Sequence, residues 1–339
     1  MSYEMVQTAD GSLSCRDPLT GQLCHNLAGA YTESVHFYTR PSGLLSLIRS
    51  QGRIRVLDAC YGLGYNTWSL LNELLGLETD PEFLADWEHR KEPSGAPKPF
   101  VVSMICIEKY PEILQFLPQV LDFPSLSVLK EKLTASEHNT YYRTLQCFMD
   151  TKGGVLDGGD LRPRSLILEL PPFWRFELEL WVDDLRLRLP QLRDPMDTIF
   201  HDPFSPQKMP ELWTADLFSE YYRLLQPNGG KVLTYGAAAA TRGGLMEAGF
   251  SIAKTPGLGA KGGGTIAFTA PATLLPASPP DPIWVPLTDW EQEYIGSRAG
   301  IPYRDAGLSQ SREAILLQRE VEQAQSARPS GAGALKRKP

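Results

Sequence analysis

The chain has 339 residues, 42% of them apolar and 22% charged, with a net charge of −7. That composition describes a globular protein large enough for one big domain with appendages. No eighteen-residue apolar window is present, so no membrane span is expected, and the acidic balance argues against the tight non-specific DNA or RNA binding that rests on phosphate neutralisation.

The opening stretch MSYEMVQTADGSLSC has neither a basic nor an apolar leader region, so a cytoplasmic protein is expected. The five cysteines, Cys15, Cys24, Cys60, Cys106 and Cys147, are odd in number and fit no metal-ligand spacing. They are read as reduced thiols, and no metal is expected.

Along the chain, Asp10-Gly11 and Thr20-Gly21 are turn signals. Residues 1–40 are therefore read as a β-rich extension built on a hairpin and packed on the core. Residues 42–49 look helical, 54–58 form a buried strand ending on Asp58, and 66–75 form a helix after Gly62 and Gly64. The polar, Pro- and Gly-containing stretch 76–99 is read as a long loop or an insertion. Residues 100–107 form a second buried strand, followed by Glu108.

A second insertion, 111–172, is helical in places and breaks at Gly153-Gly154 and Gly158-Gly159. Residues 176–182 alternate and end at Asp183-Asp184, and 197–200 make a fourth strand. Helices are expected over 212–225 and 237–248, and strands over 231–235, 250–252 and 265–269. Strands alternating with helices imply an α/β core over 41–270, with a mostly parallel sheet covered on both faces. The proline-rich residues 271–286 read as a surface strap, 308–325 as a polar helix, and the last fourteen residues as disordered.

Two features carry chemistry. Asp58, Glu108 and Asp184 each end or follow a strand, where ligands of open α/β sheets bind. Asp58 adjoins a glycine turn that lets backbone approach a nucleotide closely. Glu108 is placed to accept hydrogen bonds from ribose hydroxyls, and Asp184 lies on the adenine side. The second feature is the run from Asp202 to Trp213, just past the fourth strand. Pro203, Pro206 and Pro210 stiffen it, and a rigid loop presenting Asp202 suits the holding of a nucleophile in line.

Asp202, Phe204, Pro206, Lys208, Pro210 and Trp213 match a D-x-F-x-P-x-K-x-P-x-x-W loop, and Arg242-Gly243-Gly244-Leu245, Glu247-Ala248-Gly249-Phe250 and Gly257-Leu258-Gly259 lie downstream of it. Through these residues the chain resembles the MnmC-type methyltransferase domain family. Asp10-Gly11, Tyr31-Thr32-Glu33-Ser34 and Gly62, Gly64 and Asn66 extend the resemblance over about 8–270.

The resemblance implies a Rossmann-like S-adenosylmethionine-dependent methyltransferase. It implies methylation of the aminomethyl group of 5-aminomethyluridine at the tRNA wobble position, with the anticodon stem-loop as partner. No flavin oxidase domain accompanies it, so only the methyl-transfer half is implied. The implied cofactor residues are Glu33, Asp58, Gly62, Gly64, Asn66, Glu108, Asp184 and Asp202, with Asp202 also catalytic. Tyr31, Phe204, Lys208, Trp213, Arg242 and Lys261 are implied on the substrate side, the aromatics as stacking faces for a splayed base.

The sequence departs from the family at Cys60, which replaces a turn glycine and needs a negative φ, at Tyr65, and at Lys261-Gly262-Gly263-Gly264, where the family has a basic run. Two other readings stay open: a methyltransferase of this fold acting on another amine or small molecule, and a non-catalytic cofactor-binding module.

Overall fold

The computed structural model describes residues 3–92, 95–96, 98–135, 140–149, 162–227, 229–258, 262–271 and 283–331. The glycines expected to break the 111–172 insertion, Lys261, Gly259, most of the proline-rich stretch and the last eight residues lie outside this set. The chain divides into two compact units, Met1–Leu185 and Arg186–Pro339.

The first unit begins with the expected hairpin. Strand β1 (Glu4–Gln7) pairs antiparallel with β2 (Leu13–Arg16) around a turn in which Gly11 sits at φ 88°. A second turn then returns Leu23 to lie opposite Arg16. The hairpin caps the first helix: Asp10 Oδ2 accepts the Thr32 amide at 3.0 Å, and Ser12 Oγ accepts that of Ala30 at 2.8 Å. Helical backbone runs through Ala30–Ser34, a wider turn at Val35–Thr39 and Arg40–Ser42, and restarts over Leu44–Gln51 after Gly43. The stretch expected to be β-rich to residue 40 is thus helical from Ala30, because Asp10 and Ser12 supply the cap from a distance in sequence.

Strands β3 (Arg53–Asp58), β4 (Phe100–Glu108), β5 (Arg164–Leu170) and β6 (Trp174–Val182) lie in the order β5-β6-β4-β3. β3, β4 and β6 run parallel, with Asp58 opposite Cys106 and Glu108 opposite Val182. β5 is antiparallel to β6. It falls inside the stretch 111–172 read as an insertion. Leu166, Leu168 and Leu170 face inward and Ser165, Ile167 and Glu169 outward, the period-2 pattern of a half-buried edge strand. Of the two readings of 76–99, the structure departs from a plain loop. The stretch holds a helix, Pro81–Glu88, whose N-cap Asp80 accepts the Glu82 amide at 2.9 Å. Phe83 is its buried residue and packs 4.8 Å from Phe100 and 5.2 Å from Trp174. One anchor residue in two turns leaves little periodicity to read.

In the second unit β7 (Thr198–Phe200) runs parallel to β8 (Lys231–Thr234), and β10 (Thr265–Phe268) pairs antiparallel with both β8 and β9 (Ser251–Lys254). Antiparallel pairs in both units make the strand pairing mixed, where a mostly parallel sheet is expected from sequence. Helices Ala215–Leu224 and Ala239–Glu247 separate the strands. Residues 283–331 belong to this unit's packing, and most of the expected strap, 271–286, lies outside the described residues. Trp284 is buried 5.6 Å from Phe268, and Val285 pairs with Lys254.

Helix Asp289–Gly296 starts on a Thr288/Glu291 capping box. The carbonyl of Tyr303 accepts the Ala215 amide at 2.9 Å, and Asp216 accepts that of Asp305 at 2.7 Å, so the compact Pro302–Asp305 turn anchors helix Ala215–Leu224. The polar helix occupies Arg312–Gln325. Beyond it, the described part of the expected disordered tail is held: Arg298 donates to the carbonyls of Arg328 and Pro329. Among the described residues no helix is long and apolar enough to cross a membrane.

Candidate active site

The parallel strands β3, β4 and β6 bring three acids to one edge of the first unit. Asp58 ends β3 fully buried, and its Oδ2 accepts from Thr67 Oγ1 at 2.7 Å. Glu108 ends β4, 9% exposed, and its two oxygens accept the amides of Gly62 at 2.8 Å and Tyr110 at 2.7 Å. Burial raises the Glu108 carboxyl above its ordinary range, against the pull of those backbone donors. Beyond β6, the Asp183 amide donates to the Glu108 carbonyl at 2.9 Å, and Asp184 pairs with Lys109 at 2.9 Å.

The glycine turn between β3 and helix Tyr65–Gly76 is built by close approach. Tyr61 N–H donates to the Ile107 carbonyl at 3.0 Å, which lays the turn over the end of β4. Gly64 sits at φ 80°, and a Cβ there would meet Tyr61 Oη at 2.4 Å and Trp68 Nε1 at 2.7 Å. Gly62 sits at φ 54° with open space where a Cβ would stand. Cys60 is not among the positive-φ residues, so the condition for cysteine at that position is met. A backbone turn with an open glycine, next to an acid that retains lone pairs for further donors, fits the ribose and amino-acid portions of a nucleotide-type sulfonium cofactor.

Two residues implied for the cofactor hold local structure here. Glu33 is buried and accepts the Asn26 amide at 2.5 Å, while Asn66, also buried, accepts from Ser34 Oγ. Tyr31 donates to Glu73 at 2.9 Å, with its ring 5.7 Å from that of Phe123. Sequence reasoning gives no role to Tyr65, whose hydroxyl accepts the Leu13 amide at 3.0 Å and ties the hairpin to the helix after the glycine turn.

In the second unit Asp202 is half-buried, two residues past the end of β7. Hydrogen bonds, and not the prolines alone, fix the loop after it. Tyr235 Oη donates to the Pro203 carbonyl at 2.8 Å, Trp213 Nε1 to that of Phe204 at 2.8 Å, and Arg312 to that of Gln207 at 2.9 Å. His201 beneath is fully buried and lies 2.9 Å from Tyr221 Oη through Nδ1. Burial lowers its pKa to about 3, so the imidazole is neutral and packs as a core group.

The substrate-side residues separate. Phe204 is half-buried and Lys208 exposed. Trp213 is 0% exposed, with its ring edge-on to His201 at 4.7 Å, so it is corrected from a stacking face to a packing residue that pins the loop. Arg242 is corrected likewise. It is 4% exposed, pairs with Glu291 at 3.0 Å and donates to Thr265 Oγ1 at 3.0 Å, which leaves its guanidinium committed inside the unit. Gly243 beside it has no room for a Cβ, which would stand 2.0 Å from the Gly300 carbonyl oxygen. Among the described residues no cluster of metal-binding side chains occurs.

The model of an S-adenosyl-L-methionine-dependent methyltransferase family matches residues 171–270, the stretch that carries the Asp202 loop. The chain is 30% identical over 208 residues to the tRNA 5-methylaminomethyl-2-thiouridine biosynthesis bifunctional protein MnmC of Ectopseudomonas mendocina, a match covering 61% of this chain. The chain is an S-adenosyl-L-methionine-dependent methyltransferase whose sequence is similar to that of the MnmC proteins.

The chain spans 28% of the length of that relative and 34% of the MnmC protein of Methylibium petroleiphilum. It is also 25% identical over 319 residues to an uncharacterized protein, MJ0670, of Methanocaldococcus jannaschii, covering 94% of this chain and 72% of the other. The crystal structure of MNMC2 from Aquifex aeolicus has the same fold, with a TM-score of 0.65 at 23% identity over 96% of this chain and 86% of that one. The expected α/β, Rossmann-like methyltransferase fold is therefore the observed one.

Proposed function

We propose that this MnmC-type enzyme transfers a methyl group to the primary amine of 5-aminomethyluridine at the wobble position of tRNA, giving 5-methylaminomethyluridine. The observation that carries the reading is the Asp202 loop. Its carbonyls at Pro203 and Phe204 are pinned by Tyr235 and Trp213, and it lies within the stretch matched by the methyltransferase model. Relatives that share this stretch are tRNA 5-methylaminomethyl-2-thiouridine biosynthesis proteins, which supports tRNA as substrate and its anticodon stem-loop as the part engaged.

Glu108, Asp58, Asp184 and the turn at Gly62 and Gly64 are the proposed cofactor residues. When bound, S-adenosylmethionine supplies a methyl group made electrophilic by its sulfonium. Attack requires a neutral amine. Asp202 accepts a hydrogen bond from one amine N–H, which aims the nitrogen lone pair, and then takes or relays the proton that the methylated ammonium sheds. No covalent intermediate with the protein is needed. Phe204 and Tyr31 are proposed as faces for the extruded uracil, and Lys208 as an exposed phosphate contact.

The test is mass spectrometry of wobble nucleosides from a strain lacking the protein. Accumulated 5-aminomethyl nucleosides, cleared by methylation of that tRNA with the purified enzyme, are expected. Unmodified wobble profiles together with methyl transfer to small amines would overturn the substrate while leaving the enzyme class standing.

A further inference from the structure

The N-terminal hairpin carries a pair of cysteines that methyl transfer does not use. Leu23 lies opposite Arg16, and one step out along the same register Cys24 lies opposite Cys15, its amide donating to the Cys15 carbonyl at 2.8 Å. The flanking Asp17 amide donates to the Gln22 carbonyl at 2.9 Å, so both backbones are held in a short antiparallel ladder. The two Sγ atoms stand 2.9 Å apart. Cys15 is fully buried and Cys24 is half-buried, so only Cys24 offers a route to a reagent from solvent.

We propose that Cys15 and Cys24 are a modification site, a dithiol that small-molecule disulfides convert to an intramolecular disulfide stapling the hairpin. Opposed strand positions whose sulfurs already stand 2.9 Å apart place the two side chains within reach of the bond. In the first step the Cys24 thiolate attacks one sulfur of a small disulfide RSSR. The RS–SR bond breaks, a Cys24–SR mixed disulfide forms, and the departing RS⁻ takes up the proton Cys24 gave up. In the second step Cys15 loses its proton and attacks Cys24 Sγ, and the Cys24–SR bond breaks to release a second RSH. The protein loses two hydrogens, and one RSSR becomes two RSH.

The neighbouring Cys15 thiol and burial push the Cys24 thiol well above its ordinary range. A scarce Cys24 thiolate makes the exchange slow, while a thiol that ionises poorly favours the disulfide at equilibrium. The site adjoins the cofactor turn. Leu13 on the same strand as Cys15 donates to Tyr65 Oη at 3.0 Å, and His25 next to Cys24 packs edge-on against the Tyr65 ring at 5.3 Å. Tyr65 comes directly after Gly64, so a staple between Cys15 and Cys24 stiffens the wall that buttresses that turn.

The test treats the folded full-length protein with oxidised glutathione, quenches with an alkylating agent, and maps the cysteines by mass spectrometry. The expected product is two hydrogens lighter, links the peptides carrying Cys15 and Cys24, leaves the other three cysteines alkylated, and melts at a higher temperature than the reduced protein. Cys15→Ser should stop at a glutathione adduct on Cys24. Full alkylation of all five cysteines, a link involving Cys60, Cys106 or Cys147, or a linked product with an unchanged melting temperature would overturn the proposal. The wild-type mapping decides the matter even if the variant fails to fold.

Discussion

The Glu108 carboxylate at the end of β4 accepts the Gly62 amide at 2.8 Å. The acid proposed to meet the ribose therefore also fastens the glycine turn, and one substitution acts on both.

Glu108→Ala should lose most cofactor affinity. Removing a buried charged partner costs about 1.5–3 kcal/mol, or roughly 10- to 150-fold in Kd. Titration calorimetry with S-adenosylhomocysteine on a variant shown to be folded checks this. Affinity within twofold of wild type would remove Glu108 from the cofactor residues.

Tyr235→Phe removes one hydrogen bond, to the Pro203 carbonyl, and keeps the ring. If that bond positions Asp202, methyl transfer should fall about 2- to 10-fold, the kinetic equivalent of one neutral hydrogen bond, while cofactor Kd stays put. A variant that loses cofactor affinity instead would show that Tyr235 acts elsewhere.

Residue order alone makes the strand-end acids legible. Buried apolar runs stop at Asp58, Glu108 and Asp184, and the parallel pairing of β3, β4 and β6 does bring those ends side by side. The features that sequence hides depend on distant partners. The cap on helix Ala30–Ser34 comes from Asp10 and Ser12, and the fixation of the Asp202 loop comes from Tyr235 and Arg312. Trp213 and Arg242 mislead for a related reason. A tryptophan or arginine near a site reads as a contact until its own burial and partners are known, and here Phe204 and Glu291 take up their polar ends.

Arg242 and Glu291 give a stability prediction with a sign. Burial alone would raise the Glu291 carboxyl, but the bonds from Lys254, Arg242 and Thr288 lower it to about 2. A depressed folded-state pKa contributes stability that is fully present above the ordinary value of 4.5 and is lost as pH falls through about 2. Arg242→Ala leaves the carboxylate with Lys254 and Thr288 but one charged donor short, and should cost about 1–3 kcal/mol, the range for a lost hydrogen-bond partner. Urea unfolding at neutral pH checks the magnitude, and the gap between wild type and variant should narrow as pH falls below the ordinary carboxyl range. A variant as stable as wild type but impaired only in substrate KM would restore Arg242 to the substrate side.

Asp202 is the residue on which the proposed chemistry turns. It stands two residues beyond β7, whose strand is buried throughout, so its backbone is fixed from behind. From ahead, the carbonyls of Pro203 and Phe204 are each held by a side-chain donor at 2.8 Å. A carboxylate on so constrained a backbone is suited to aiming a lone pair, and for a positioned acid–base group the usual contribution is about 10²–10⁴-fold. Asp202→Ala should therefore lower single-turnover methyl transfer by that factor. Binding of S-adenosylhomocysteine and the melting temperature should stay near wild type. Asp202→Asn separates two components of the role: the amide still accepts a hydrogen bond from the amine but takes no proton, so partial activity that recovers as pH rises would assign Asp202 mainly to orientation. If Asp202 merely braces its loop, the alanine variant would lose stability while turning over nearly normally, and single-turnover rates and melting curves measured on the same preparation distinguish that outcome from the catalytic one.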